Sequence, residues 1–163
     1  MPAQSAWTGR RSAPPWSEVA PFGDQGDAQG GSPLRAALNG RLRGIVGGLR
    51  TPKTAEPVGR MLLALNDALP EAPLAHMAPE WRGLEMRVMS PQPSLSEVAM
   101  LYRLLRLVWL SGMVFGDKEL AYDWLSEPKT RLHGKTPLQL LHDPRQVGGI
   151  ERWLIDIEEG NGP

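Results

Sequence analysis

The stretch LSEPKTRLHGKTPLQLL, residues 125–141, admits two very different folds. Its centre, Gly134-Lys135-Thr136, has the form of the end of a phosphate-binding loop. Such a loop follows a buried β-strand, so this reading makes an α/β chain. The other reading is a connection between helices in an all-α chain. A phosphate loop places glycine five residues before its Gly-Lys-Thr, where this chain has Lys129. Pro137 also stands where the loop's helix must continue, and proline removes an amide donor. The stretch is therefore read as a helix stop at Ser126 to Pro128, an exposed loop, and a restart at Thr136-Pro137. Threonine before proline is an N-cap followed by proline at the first helical position. Gly134 supplies a backbone angle other residues resist, and Leu132 plugs the loop into the core. Lys129, Arg131 and Lys135 are expected to stay outside, available to a partner.

Upstream, Ser94-Leu95-Ser96-Glu97 fits a capping box and opens a helix to about Val114. Apolar side chains surround it except for Arg103 and Arg106, the pattern of a central helix. Gly116 ends it and Asp117 caps the next, whose expected buried face is Leu120, Ala121, Trp124 and Leu125. Downstream, Leu138, Leu140 and Leu141 form a short turn, and Asp143-Pro144 repeats the start signal. The last helix runs to about Glu159, with Gly160 as terminator. Val147, Ile150, Leu154 and Ile157 share its buried face and Trp153 flanks it. Ile155 points the other way, a surface residue or a partner contact. Two mid-helix glycines, Gly148-Gly149, soften this helix or allow close packing.

Residues 1–32 are rich in Gly, Pro, Ser, Ala and Gln without apolar periodicity, and are expected to be a disordered tail. Its Trp7, Trp16 and Phe22 are scattered aromatics or partner anchors. Leu34, Leu38, Leu42, Ile45 and Leu49 mark a glycine-weakened helix over 33–50. A second helix is expected from Glu56 to Leu69, ended by Pro70. Residues 71–90 read as two short helices, Ala72 to Ala78 and Glu80 to Met89, around Pro79. That is the outline of a helix-turn-helix, without a recognisable turn glycine and with few basic residues. Arg82 and Arg87 are its candidate DNA contacts. No strand-like alternation occurs. The expectation is an all-α small helical bundle in three parts: tail 1–32, a helical domain with a degenerate helix-turn-helix candidate over 33–93, and a C-terminal helical domain over 94–163.

Composition narrows the chemistry. The 163 residues suit one domain, or one domain with a small partner and a tail. Cysteine is absent, which excludes disulfides, thiolate chemistry and cysteine-based zinc sites. His76, His133 and His142 lack the spacing of paired zinc ligands, so no metal is expected. No serine, histidine and acid arrangement stands out, and nothing supports an enzyme. The N-terminus shows no signal pattern. The uncharged run Leu107 to Phe115 is far short of the ~20 residues a bilayer needs, so a soluble cytoplasmic protein is expected. Residues 33–90 carry eight Arg/Lys against five Asp/Glu, and residues 91–163 eight against ten. This mild asymmetry permits nucleic-acid binding by the first part without demonstrating it.

The last 70 residues resemble the C-terminal toxin-binding domain of the MbcA/ParS/Xre antitoxin family. The pattern runs through Phe115-Gly116-Asp117, Ala121, Trp124-Leu125, Pro128, Leu132, Gly134, Thr136-Pro137-Leu138 and Leu141. It continues without a gap through Ile150, Leu154, Ile157, Glu158 and Gly160. The family's glycine near position 146 is here Gln146, and residues 33–90 match its helix-turn-helix half poorly. The resemblance implies a non-enzymatic antitoxin that needs no cofactor and pairs with a RES-domain toxin, which consumes NAD or transfers ADP-ribose from it. The antitoxin covers the toxin's cleft, and its last residues reach the active site. Promoter DNA is a further implied partner, and a homodimer or a larger hetero-oligomer with toxin the implied assembly. The toxin-binding candidates are Lys129, Arg131, Lys135, Ile155, Glu158, Glu159, Gly160, Asn161, Gly162 and Pro163. The acidic end is expected to meet basic residues of a NAD pocket. Two other readings stand beside this one: a stand-alone helix-turn-helix regulator, with its recognition helix at 80–89, and a small nucleotide-binding enzyme using Lys135 and Thr136.

Overall fold

A computed structural model describes residues 31–46, 55–71 and 83–161. Among them are six α-helices: α1 Pro33–Val46, α2 Ala55–Ala68, α3 Leu84–Val88, α4 Leu95–Phe115, α5 Lys118–Ser126 and α6 Pro144–Glu158. Two 3-10 turns, Thr130–Leu132 and Pro137–Leu140, lie between α5 and α6. No β-strand occurs among the described residues. The chain is all-α, as its sequence pattern indicates.

Helix α4 organises the rest: α1, α2, α3, α5 and α6 all pack against it. Leu101, Leu104, Leu105, Leu107 and Leu110 are each 1% exposed or less. Burial on nearly every side is what an all-round apolar helix demands. By length and hydropathy this helix also passes as a membrane span, but 56% of its most apolar window is buried inside the fold. The core it anchors is continuous from Leu38 of α1 to Ile155 of α6. It therefore crosses the expected domain boundary at residue 94 without a break.

The ends of α4 follow the expected local chemistry. The Ser94 side chain accepts from Glu97 N at 3.2 Å, and Glu97 Oε2 accepts from Ser94 N at 3.0 Å. At the other end Gly116 turns left-handed at φ 71°, and its amide donates to Gly112 O. Asp117 then caps α5 by accepting from Leu120 N at 2.9 Å. The buried Ser111 hydroxyl is satisfied within the helix, donating to Leu107 O at 2.7 Å.

The two arginines on α4 make cross-helix ties. Arg103 donates to Leu141 O at 2.6 Å, fixing α4 to the end of the second 3-10 turn. Arg106 forms a bidentate pair with Glu151 of α6, Nε to Oε1 at 2.7 Å and Nη2 to Oε2 at 2.9 Å. Its Nη1 reaches Asn39 Oδ1 of α1 at 3.1 Å. Hydrogen bonding to Glu151 raises the Arg106 pKa above its ordinary value, outweighing burial. One side chain thus joins three helices.

Several expectations are corrected. Leu120 is 53% exposed, leaving Ala121 and Leu125 as the fully buried part of α5. Ile155 is only 7% exposed and belongs to the core, because α6 packs against both α4 and the second 3-10 turn. Of the helix expected over Glu80 to Met89, residues 80–82 lie outside the described residues, Gly83 adopts φ 81°, and α3 spans the five residues Leu84–Val88. Residues 47–50, Trp7, Trp16, Phe22, His76, Trp81, Arg82 and the helix expected over Ala72 to Ala78 lie outside the described residues.

Two measurements follow. Glu151→Ala leaves Arg106 buried without its carboxylate and is expected to cost about 3 kcal/mol in urea unfolding. The joint replacement Arg106→Met with Glu151→Leu should restore most of that loss. Glu97 has a pKa held below its ordinary 4.5, first by the Ser94 amide, then by the Ser94 hydroxyl and by Arg87. A lowered carboxylate pKa stabilises the fold above the unfolded value, and the contribution fades as pH falls through the folded value. Glu97→Gln should therefore lower the melting temperature at neutral pH and converge with the wild type below the ordinary glutamate range.

Candidate functional site

The loop between α5 and the second 3-10 turn closes on itself. Lys129 N donates to Lys135 O at 3.0 Å, and Gly134 N donates back to Lys129 O at 3.0 Å. Leu132 N also donates to Lys129 O, at 2.9 Å, and His133 N to Thr130 O at 3.0 Å. Reversal of the chain requires two successive left-handed residues, His133 at φ 54° and Gly134 at φ 78°. The expected angle at Gly134 is present; the one at His133 had no signal in the sequence. Thr136 and Gln139 form a second capping box, each side chain satisfying the other's backbone amide at 3.0–3.1 Å.

This geometry bears directly on the phosphate-loop reading. A phosphate cradle needs free amides at Gly134, Lys135 and Thr136. All three are engaged internally, with Lys129 O, Leu132 O and Gln139 Oε1. The Thr136 hydroxyl accepts from Gln139 N, and Pro137 follows it. The loop is a rigid connector with its donors turned inward.

Beneath the loop lies an aromatic ladder. Phe115 at the end of α4 meets Trp124 of α5, centroids 5.8 Å apart. Trp124 meets Trp153 of α6 edge-on at 5.0 Å. Each tryptophan carries a cation from the loop: Lys129 Nζ is 5.1 Å from the Trp124 centroid, and Arg131 Cζ is 5.0 Å from that of Trp153. Lys129 does not remain outside as expected. Its side chain is 13% exposed, held against Trp124 and paired with Glu127 Oε2 at 3.0 Å. Arg131 and Lys135 are exposed. Leu132 is only partly buried against the core.

At the C-terminal end, Gly160 at φ 77° and Asn161 close α6 in a Schellman arrangement. Gly160 N donates to Ile157 O and Asn161 N to Asp156 O. Glu159, Gly160 and Asn161 are exposed and Glu158 is half-buried; Gly162 and Pro163 lie outside the described residues. Ile155, placed among the partner contacts on sequence grounds, is buried and presents no surface there. Arg87, a DNA-contact candidate, pairs with Glu97 Oε1 at 2.9 Å. Among the described residues no group of three His, Asp or Glu side chains is placed to hold a metal ion.

Sequence reasoning missed two features. One is the Phe115–Trp124–Trp153 ladder, whose members were visible singly but whose contact depends on how α4, α5 and α6 cross. The other is a groove of about 750 Å³ among α1, α2, α4 and the start of α5, lined in part by Gly40, Gly44, Ile45, Trp109 and Gly112. Arg41 lies over Trp109 there, 4.4 Å from the ring centroid. Glycine spacing on α1 and α4 was the available signal, and it reads equally well as a weak helix.

The two kinds of glycine can be separated by substitution. Gly134→Ala forces alanine into a left-handed angle and should cost about 1 kcal/mol. Gly149→Ala, in mid-helix with open space for a Cβ, should instead gain about 1 kcal/mol. Urea denaturation of both variants measures the contrast.

Residues 112–160 match the family model described as the antitoxin Xre/MbcA/ParS C-terminal toxin-binding domain. The match covers the end of α4, α5, both 3-10 turns and α6. The chain is also similar to the Antitoxin Xre of Pseudomonas putida, 35% identical over 82 residues. That alignment covers 50% of this chain and 52% of the relative, so the chain spans about half the length of the curated relative it matches. No solved structure matches. The segment carrying the closed loop, the aromatic ladder and the capped end of α6 is therefore the part of the chain that resembles a toxin-binding domain.

Proposed function

We propose that this chain is an antitoxin, a non-enzymatic protein whose C-terminal domain binds a RES-domain toxin in the cytoplasm. In this reading it blocks a site that consumes NAD or transfers ADP-ribose from it. The observation that carries the reading is the match of residues 112–160 to a toxin-binding domain, on a surface whose loop backbone is held by internal hydrogen bonds. The amides of Leu132 to Thr136 are satisfied within the chain, Lys129 and Arg131 lie over tryptophans, and the end of α6 is capped. Little backbone freedom remains to be lost on binding, which favours a tight complex. Glu158, Glu159 and the end of the chain are the segment proposed to enter the toxin's cleft. Their negative charge suits the basic residues that hold a pyrophosphate.

Promoter binding, alone or with the toxin, draws less support. The described part of the helix-turn-helix candidate is a five-residue α3, and Arg87 is committed to Glu97. A recognition helix needs a longer base-reading face. Arg82 lies outside the described residues.

Co-expression with the product of the adjacent gene tests the antitoxin reading. Rescue of growth and co-purification are the expected results; a harmless neighbour that forms no complex argues against it. Removal of residues 158–163 should reduce neutralisation at least several-fold while the melting temperature changes by only a few degrees. Unchanged neutralisation would refute the role given to the C-terminal end.

A further inference from the structure

Trp153 is 9% exposed, yet its Nε1–H is buried and has no hydrogen-bond acceptor among the described residues. Buried indole N–H groups nearly always have one. The ring cannot easily turn to find it, because Trp124 holds it edge-on and Trp124 is itself held by Phe115.

Over the same ring lies Arg131, whose contact among the described residues is the indole face alone. Unlike the exposed Lys135, Arg145 and Arg152 it lies over a buried ring, and unlike four other cations it has no oxygen partner among the described residues. Arg106 is paired with Glu151, Arg87 with Glu97, Lys129 with Glu127, and Arg103 with a backbone carbonyl. Arg131 sits on an exposed, hydrogen-bonded 3-10 turn that fixes its backbone while its side chain stays movable. A fixed buried N–H and a movable guanidinium, side by side, are complementary to an oxygen acid. Arginine binds a carboxylate through two parallel N–H donors. For a carboxylate to reach the N–H, the guanidinium must swing off the ring as it pairs.

We propose that Arg131 and the Trp153 indole N–H together receive one carboxylate side chain of the toxin, forming the hot spot of the interface. This rests on the antitoxin reading above. It places the strongest single contact on the loop and α6 rather than at the acidic end of the chain. It also assigns the partner's chemistry: an Asp or Glu on the rim of the toxin's cleft. Tryptophan and arginine are the residues that most often carry interface affinity.

The test is titration calorimetry of the full chain with the toxin co-purified from the adjacent gene, at low and moderate salt. Trp153→Phe keeps an aromatic face for Trp124 and Arg131 but removes the N–H donor with the five-membered ring; it should weaken binding about tenfold, and the melting temperature reports the lost packing separately. Arg131→Gln should weaken binding about tenfold and flatten the salt dependence. Because both donors serve one acceptor, the double variant should lose clearly less than the product of the two single losses. A purely structural Trp153 would lower the melting temperature without this coupling. Binding of both single variants at wild-type affinity overturns the proposal, as does full additivity. If Trp153→Phe fails to fold, the Arg131→Gln salt dependence decides alone: an unchanged slope overturns it. Absence of any binding by the wild type overturns the antitoxin reading itself, a result separate from equal binding by wild type and variants.

Discussion

A charged group in the middle of the most apolar helix constrains everything packed around it. Arg106 sits on α4 with its side chain only 17% exposed, and leaving its charge unpaired there is costly. Glu151 answers it from α6 with two hydrogen bonds, and Asn39 answers it from α1 with a third. A buried ion pair of this kind adds little net stability over an apolar replacement, since both charges lose their water. Its effect is on arrangement. A slip of α6 by one turn along α4 would leave two buried charges facing hydrocarbon, so the register of α6 is fixed by the cost of the alternatives. Arg103 works in the same direction, tying α4 to the carbonyl of Leu141 just before α6 begins.

That register places the surface that resembles a toxin-binding domain. Trp153 lies two residues after Glu151 on α6, so the pairing that seats Glu151 also delivers Trp153 to Trp124. Trp124 is delivered in turn by the tight Gly116-Asp117 junction between α4 and α5. The loop then lays Lys129 and Arg131 on the two indole faces. Its own backbone hydrogen bonds close it. The chain of dependence runs from a buried charge, through helix register, to the spacing of surface groups. A substitution at residue 151 would therefore be felt at the loop, although the two do not touch.

The zero net charge of the chain conceals how its charges are used. Three of the eight Lys/Arg in residues 91–163 are spent inside the fold, on Glu151, on Glu127 and on a carbonyl. The other five, Lys118, Arg131, Lys135, Arg145 and Arg152, are exposed among ten Asp/Glu of the same stretch. Such a distribution suits recognition of one shaped protein surface better than a long, uniformly charged polymer, whose binding draws on many phosphate contacts at once.

The sequence by itself determined the ends of the helices. Ser94 with Glu97, Gly116 with Asp117, Thr136 with Pro137, Asp143 with Pro144, and Gly160 are local signals, because a cap depends on atoms within four residues of it. It also determined that α4 is central and that the Gly134-Lys135-Thr136 segment is not a phosphate cradle, since proline and the missing glycine act locally too. Gly83 was overlooked as a turn because a lone glycine also fits a weak helix, and only its backbone angle separates the two. What tertiary structure decided was which side chains meet. Leu120 turned outward and Ile155 inward because burial depends on the neighbours a face receives, which periodicity within one helix does not report. The Arg106–Glu151 pair joins residues 45 apart, and the aromatic ladder joins three helices. The fate of Lys129 was set the same way: a cation in an exposed loop is expected in water, and it lies instead on a tryptophan that the crossing of α5 and α6 put beneath it.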